Sequence, residues 1–295
     1  MDRILRDKKA IIVFLLPGLL VFTFVVLIPV GWSLVYSLYE GVVGIQLDFT
    51  GLHNYTLLFR DPQFIRSMII TLKYALVVTS SQMILGLLFA FLFAYGVKYK
   101  TVVRTICFLP VVLPVVAVGQ LFSKMYAIAP MYGLINSLLD LLGLGAYCKA
   151  WIGTTQTALA ALCVQDIWMT AGFYAIIYYA GIVDIPGDLV EAAKIDGATG
   201  TQIAWRIILP LLRPVIATAL IYSLSGSIKV YASAYALTGG GPARATYMLS
   251  MYMYDTAFKF SEYGYGSTIG VFIMLECLFF VLLTNYLVNR KDKTI

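Results

Sequence analysis

The chemistry this chain can offer is sparse, and the scarcity itself excludes whole classes of function. His53 is the single histidine among 295 residues, so an imidazole-based metal centre lacks its other ligands. Cys107, Cys148, Cys163 and Cys277 are scattered, which argues against a disulfide framework; three of the four lie in apolar runs, as small core residues do. A Ser/His/Asp or Cys/His nucleophile pair has no suitably placed base. The phosphate-cradling pattern G-x-x-x-x-G-K-[ST] is also absent. Lys100-Thr101 and Lys293-Thr294 are the Lys-Thr pairs present, and neither follows a suitable glycine. The chain is therefore expected to be no enzyme and to hold no metal or cofactor of its own.

Three other patterns carry more. Ser223, Gly226, Ser227 and Val230 recur at i, i+3, i+4 and i+7, which puts them on one small, weakly polar helix face. Such a face suits the wall of a passage for a hydroxylated solute, and it equally suits close helix packing; spacing leaves both open. Asp166, Lys229 and Glu276 stand inside apolar runs, where an ionisable group must face a cavity, a partner helix or one another. An Asp166–Lys229 ion pair is one such arrangement. The third pattern is the segment from Ile185 to Pro210, which reads as two short helices joined at a glycine. Pro186 and Asp188 mark a helix start, Gly197 permits the turn, Thr199 or Thr201 caps the second helix, and Pro210 opens the next span.

The elements that hold these residues follow from composition. Hydrophobic residues make up 61% of the chain and charged residues 12%, with a mean hydropathy of +0.87. A soluble domain is roughly 25% charged, and so much apolar surface cannot hide inside one body of this length. Lipid must be part of its solvent. Six stretches reach the roughly 20 apolar residues that a spanning helix needs: 10–38, 67–97, 102–126, 154–183, 211–238 and 265–289. They lack barrel-like alternation, so helices are expected, with Pro110 and Pro114 distorting the third. Gly86, Ala90 and Ala94 give the second span a small-residue stripe for close approach. The first stretch is too long for a signal peptide and no A-x-A-like site follows it, so a retained helix is expected.

The net charge of +6 is mostly topology. Placing both termini in the cytoplasm puts thirteen basic residues there, among them Arg3, Arg6, Lys8, Lys9, Lys98, Lys100, Arg104, Lys194, Arg206 and Lys293. The outer side receives five: Arg60, Arg66, Lys149, Arg244 and Lys259. That bias fixes the orientation, and the absence of a continuous basic stripe with interleaved aromatics excludes nucleic acid as a partner. No connecting segment is long enough for a soluble domain, so a single transmembrane domain is expected over 1–295.

Glu191-Ala192-Ala193, then Gly197, then Ile207-x-Leu209-Pro210, resembles the EAA loop of binding-protein-dependent ABC importer permeases. Asp196 and Ala198 extend it to the Asp-Gly-Ala form of the carbohydrate branch. Gly51-Leu-His-Asn54-Tyr55, Asp61-Pro62 and Thr71-Leu72 are similar to that branch's first external loop and second span. Thr238-Gly-Gly-Gly-Pro242, Tyr254-x-x-Ala257-Phe258, Gly264 and Gly266 are similar to its last third, and the Gly-Gly-Pro form points to the maltose-type first permease subunit. Thr201 and Ala204 depart from it, standing where aromatics are usual.

The resemblance implies an all-α permease fold of six transmembrane helices with a cytoplasmic coupling-helix loop, in a prokaryotic cell membrane. It implies that the EAA loop docks on a cytoplasmic ATPase, with Glu191 pairing a basic group there. The partners implied are a second related permease, two ATPase subunits that bind ATP and Mg, and an extracellular solute-binding protein met by the loops around Thr50–Asp61 and Gly239–Glu262. It also implies that Met169, Thr170 and Phe173 on the fourth span join Ser223, Gly226, Ser227 and Val230 as substrate-pathway residues. An ion-gradient-driven secondary transporter, with Asp166 and Glu276 as coupling sites, is the alternative, against which stands the lack of an inverted repeat.

Overall fold

The computed structural model describes residues 8–42, 46–128 and 130–292. Arg3, Arg6 and Lys293, which contribute to the charge bias, lie outside them. The chain divides into two compact units, one of Met1–Ile65 with Tyr252–Met274, the other of Arg66–Met251 with Leu275–Ile295.

In the first unit, helix α1 runs over residues 8–36. Its ladder widens to a π-turn at Thr23–Leu27, where the Ile28 amide bonds the Thr23 carbonyl. Pro29 explains the widening, because it has no N–H to offer the carbonyl four residues back. The apolar stretch of α1 is uncovered on every side, as befits a helix solvated by lipid or a partner. A short hairpin follows, β1 (Tyr39–Val42) against β2 (Gln46–Phe49), in antiparallel register Tyr39↔Phe49. Helical periodicity did not foresee it. Helix α2 (His53–Leu58) ties the hairpin down through Asn54, whose buried amide donates to the Ser37 and Tyr39 carbonyls at 3.1 and 2.8 Å. Asp61 accepts hydroxyl protons from Tyr252 at 2.5 Å and Tyr265 at 2.8 Å, and an amide proton from Gln63 at 2.8 Å. Burial pushes the Asp61 carboxyl up, and these bonds outweigh it, holding the carboxyl below its ordinary value.

The second unit carries most of the remaining helices, with the greater part of the helix at 249–259 and the start of the last helix belonging to the first. Helix α3 covers Pro62–Gly96, from its start in the first unit; α4 (Lys100–Val112) and α5 (Val115–Met125) follow, bent by 97° at Leu113-Pro114. A residue before proline is pushed out of the helical region, and Leu113 is extended accordingly. The expected third span, 102–126, is thus two short helices, while Pro110 is absorbed within α4. After α6 (Leu134–Leu141), α7 (Ala158–Val183) is continuous and buries Leu162, Ala175 and Tyr178. Gly86 lets α3 press on α7, since a Cβ there would lie 2.9 Å from that of Tyr174. Gly172 lets α4 approach closer still: a Cβ would stand 1.8 Å from the Cys107 carbonyl oxygen.

Beyond α7 come α8 (Gly187–Ile195), α9 (Gly200–Leu211), α10 (Arg213–Ile228) and α11 (Ala232–Thr238). The expected fifth span, 211–238, is interrupted at Lys229–Tyr231 and begins at Arg213, after a 66° bend from α9. Pro214, in the first turn of α10, opens it; Pro210 instead lies inside α9, directly after a π-turn at Ala204–Ile208, as Pro29 does in α1. Helix α12 covers 249–259 and α13 covers Tyr263–Asp292. Among the described residues, four continuous helices are long and apolar enough to span a membrane, and six if each bent pair counts as one.

Candidate functional site

Two features of the second unit collect the residues singled out in the sequence. The first is the α8–α9 lever. Asp188 sits in the first turn of α8, and Gly197 takes φ +78°, a left-handed backbone in which a side chain is strained. Thr199 is the cap: its hydroxyl accepts the Gln202 amide proton while the Gln202 side chain accepts that of Thr199 at 2.8 Å. The EAA residues divide by face. Ala193, Ile207, Leu209 and Pro210 are half-buried, with Ala193 and Ile207 packed on a core of Tyr178, Ile182, Ile203, Ile208 and Leu212. Glu191, Ala192, Asp196 and Gly197 face outward. Two exposed apolar residues escaped the sequence analysis: Ile195 at 86% exposure beside the turn, and Trp205 at 71%. Their signal was present, since large apolar groups inside a solvated loop have no core to fill. A notch of about 230 Å³ beneath the lever is lined by Tyr95, Gly187, Val190, Glu191 and Lys194.

The second feature is a cavity of about 430 Å³ among α3, α7, α10 and α11. Met169, Thr170, Ser223, Gly226 and Ser227 all line it; Phe173 and Val230 do not. Phe173 packs instead against the Tyr174 and Tyr222 rings at 5.3 and 5.7 Å, and the Val230 carbonyl accepts from Ser250. Asp166 lines the cavity too, but no Asp166–Lys229 ion pair forms. Its carboxylate is held by Tyr74 at 2.5 Å and Ser233 at 2.8 Å, which tie α7 to α3 and to the start of α11. Neutral hydroxyl donors take the place open to the ammonium, while Lys229, the exposed C-terminal cap of α10, lines the same cavity without pairing with Asp166. Glu276 has one buried carboxylate oxygen without a partner.

Helix α3 supplies side chains that the face analysis of the fourth and fifth spans overlooked. Gln82 donates to Thr170 at 2.6 Å and accepts from Ser223 at 2.5 Å. Thr79 lies 3.1 Å from the Ser223 hydroxyl and 3.4 Å from that of Ser227. The serine face therefore serves both packing and lining, the two uses that its spacing had left open.

A helical chain with spans long and apolar enough to cross lipid, an open cavity lined by hydroxyls and a two-helix segment with an outward face is built as a solute permease. Residues 82–293 match the family described as binding-protein-dependent transport system inner membrane component, and the chain belongs to that family. It is 34% identical to the trehalose/maltose transport system permease protein MalF of Thermococcus litoralis over 278 residues, which are 94% of this chain and 92% of that one. It is 33% identical to the probable ABC transporter permease protein YurN of Bacillus subtilis, over 92% and 94% of the two chains. Among solved structures, a chain of a bacterial ABC transporter involved in the import of the acidic polysaccharide alginate superposes with a TM-score of 0.82, 26% identity and 98% coverage of both chains. The fold is that of an ABC importer permease, and the chain is a multi-pass inner membrane transport subunit.

Proposed function

We propose that this chain is the permease subunit of an ATP-driven importer that translocates a carbohydrate, a di- or oligosaccharide or related polyol, delivered by an extracellular solute-binding protein. The hydroxyl-lined cavity carries the reading. Thr170, Ser223 and Ser227 offer hydroxyls beside the rings of Tyr174 and Tyr222, and a sugar presents matching hydroxyls and apolar C–H faces. The kinship with the trehalose/maltose permease supports the same cargo class. The outward residues of the lever, Glu191, Ala192, Asp196 and Gly197, together with Ile195, form the surface for a cytoplasmic ATPase, which brings ATP and Mg. Energy must come from such a partner because this sequence has no phosphate loop. A second, related permease completes the pathway, and both termini lie in the cytoplasm. The ion-driven alternative is weakened because the Asp166 carboxylate already holds two hydroxyl donors from its own bundle.

The test is uptake by the assembled importer in proteoliposomes. Ser227→Leu fills the cavity wall and is expected to abolish transport while assembly persists. Glu191→Ala and Gly197→Asp are expected to lower ATPase association and coupled uptake together. Normal uptake kinetics in Ser227→Leu would remove the cavity from the pathway; unchanged association in both lever variants would remove the docking role.

A further inference from the structure

Resting on the carbohydrate-permease reading, we infer that Gln82 of α3 is a positioning residue that fixes the hydroxyl polarity of the cargo site. The bonds of this one amide orient two of the hydroxyls at the cavity wall. Thr170 donates its single hydroxyl proton to the Asp166 carbonyl at 2.6 Å, so its oxygen can only accept from Gln82. That requirement orients the amide: the NH₂ faces Thr170 at 2.6 Å and the carbonyl must face Ser223. Ser223 in turn gives its proton to Gln82 across 2.5 Å, its shorter contact. Thr170 is thereby set with its proton directed away and a lone pair left over, while the buried Ser223, which also contacts Thr79 at 3.1 Å, holds the amide from behind. To a solute in the cavity, Thr170 presents an acceptor, which suits a cargo that donates a hydroxyl proton.

The bonds are long-range, joining residues 88 and 141 positions apart, and Gln82 is buried within a chain of contacts that runs on to Thr79 and Ser227. Thr170 alone does not reverse the polarity, because its proton is committed to the Asp166 carbonyl. Changing the amide disturbs it. A carboxylate at position 82 can only accept, so Thr170 must turn its proton away from the Asp166 carbonyl or leave a buried acceptor facing another acceptor.

The experiment uses the assembled importer and the radiolabelled sugar released from its copurified binding protein. Sugar bound to the complex locked with a non-hydrolysable ATP analogue is read by equilibrium dialysis for wild type, Gln82→Glu, Gln82→Met, Thr170→Ala and the double variants with Thr170→Ala. Gln82→Glu is expected to raise the sugar Kd about tenfold at unchanged assembly yield. The effect should be non-additive: Gln82→Glu on a Thr170→Ala background adds little, because its route to the sugar is gone. An unchanged Kd in both Gln82 variants, or full additivity with Thr170→Ala, overturns the assignment. Those outcomes are separable from failure of the carbohydrate reading itself, for which Ser227→Leu would transport normally.

Discussion

The lever and the cavity belong to the same compact unit and are built by opposite means. The lever is local. Its start, cap, turn and exit are set by Asp188, Thr199, Gly197 and the Ala204–Ile208 π-turn before Pro210, all within a few residues of the backbone they control. The cavity is assembled across the chain: Gln82 meets Thr170 and Ser223, and Asp166 meets Tyr74 and Ser233, none closer than 67 positions in sequence. Damage should therefore propagate differently. A change in the cavity wall should disturb helix packing, whereas a change on the outer face of the lever should leave the fold intact and act only on the proposed docking surface.

The sharpest way to break that contrast is Gly172→Ala. The new methyl meets the Cys107 carbonyl, a backbone atom that cannot rotate away, so α4 and α7 must separate. A cost of about 3 kcal/mol or more is expected, seen as loss of monodisperse protein in detergent. Normal yield would mean that α4 and α7 can part without penalty. Gly197→Ala tests the other side. Nothing lies within 4 Å of the added methyl, so the cost is that of the left-handed backbone alone, about 1 kcal/mol. Coupled uptake should fall further than thermal stability does; parallel losses would make the turn merely structural.

Smaller effects sharpen the contrast further. Thr199→Ala removes half of the capping box and should cost about 1 kcal/mol, confined to α9. Faster amide exchange at Thr201–Ile203, with α10 unchanged, is the expected signature; exchange rising throughout α10 would show that lever and bundle unfold together. The smallest effect lies in the first unit, at Asp61, whose carboxyl is held below its ordinary value. A depressed folded pKa gives stability that is present above the unfolded value, near 3.8, and is lost as pH falls through the lower folded one. The melting temperature should drop on acidification below about pH 4, and less steeply in Asp61→Asn. An equal slope in the variant would remove Asp61 as the cause.

Much of this protein was legible in the sequence. Composition alone put the chain in lipid, because apolar excess is a property of residues and not of their arrangement. The lever was legible for the reason that it is local: a glycine and a threonine act on neighbouring backbone groups, and the structure added Gln202 as the other half of the cap. Gly86, Ala90 and Ala94 marked α3 for close approach by spacing, and the structure supplied α7 as the helix that Gly86 admits. Pro110 and Pro114 marked the third span for distortion, but that Pro114 would bend it by 97° while Pro110 stayed within a helix depended on neighbouring contacts.

Tertiary structure alone decided the rest. It placed Gln82 and Thr79 behind the serine face, where no periodicity on α10 could point to them. Asp166 received two hydroxyl partners in place of an ammonium, and Phe173 was turned toward neighbouring rings and out of the cavity lining. A hydrogen bond between residues far apart along the chain leaves no spacing to read. Its donor and acceptor are chosen by which helix faces meet, and that choice is made by the packing of the whole bundle.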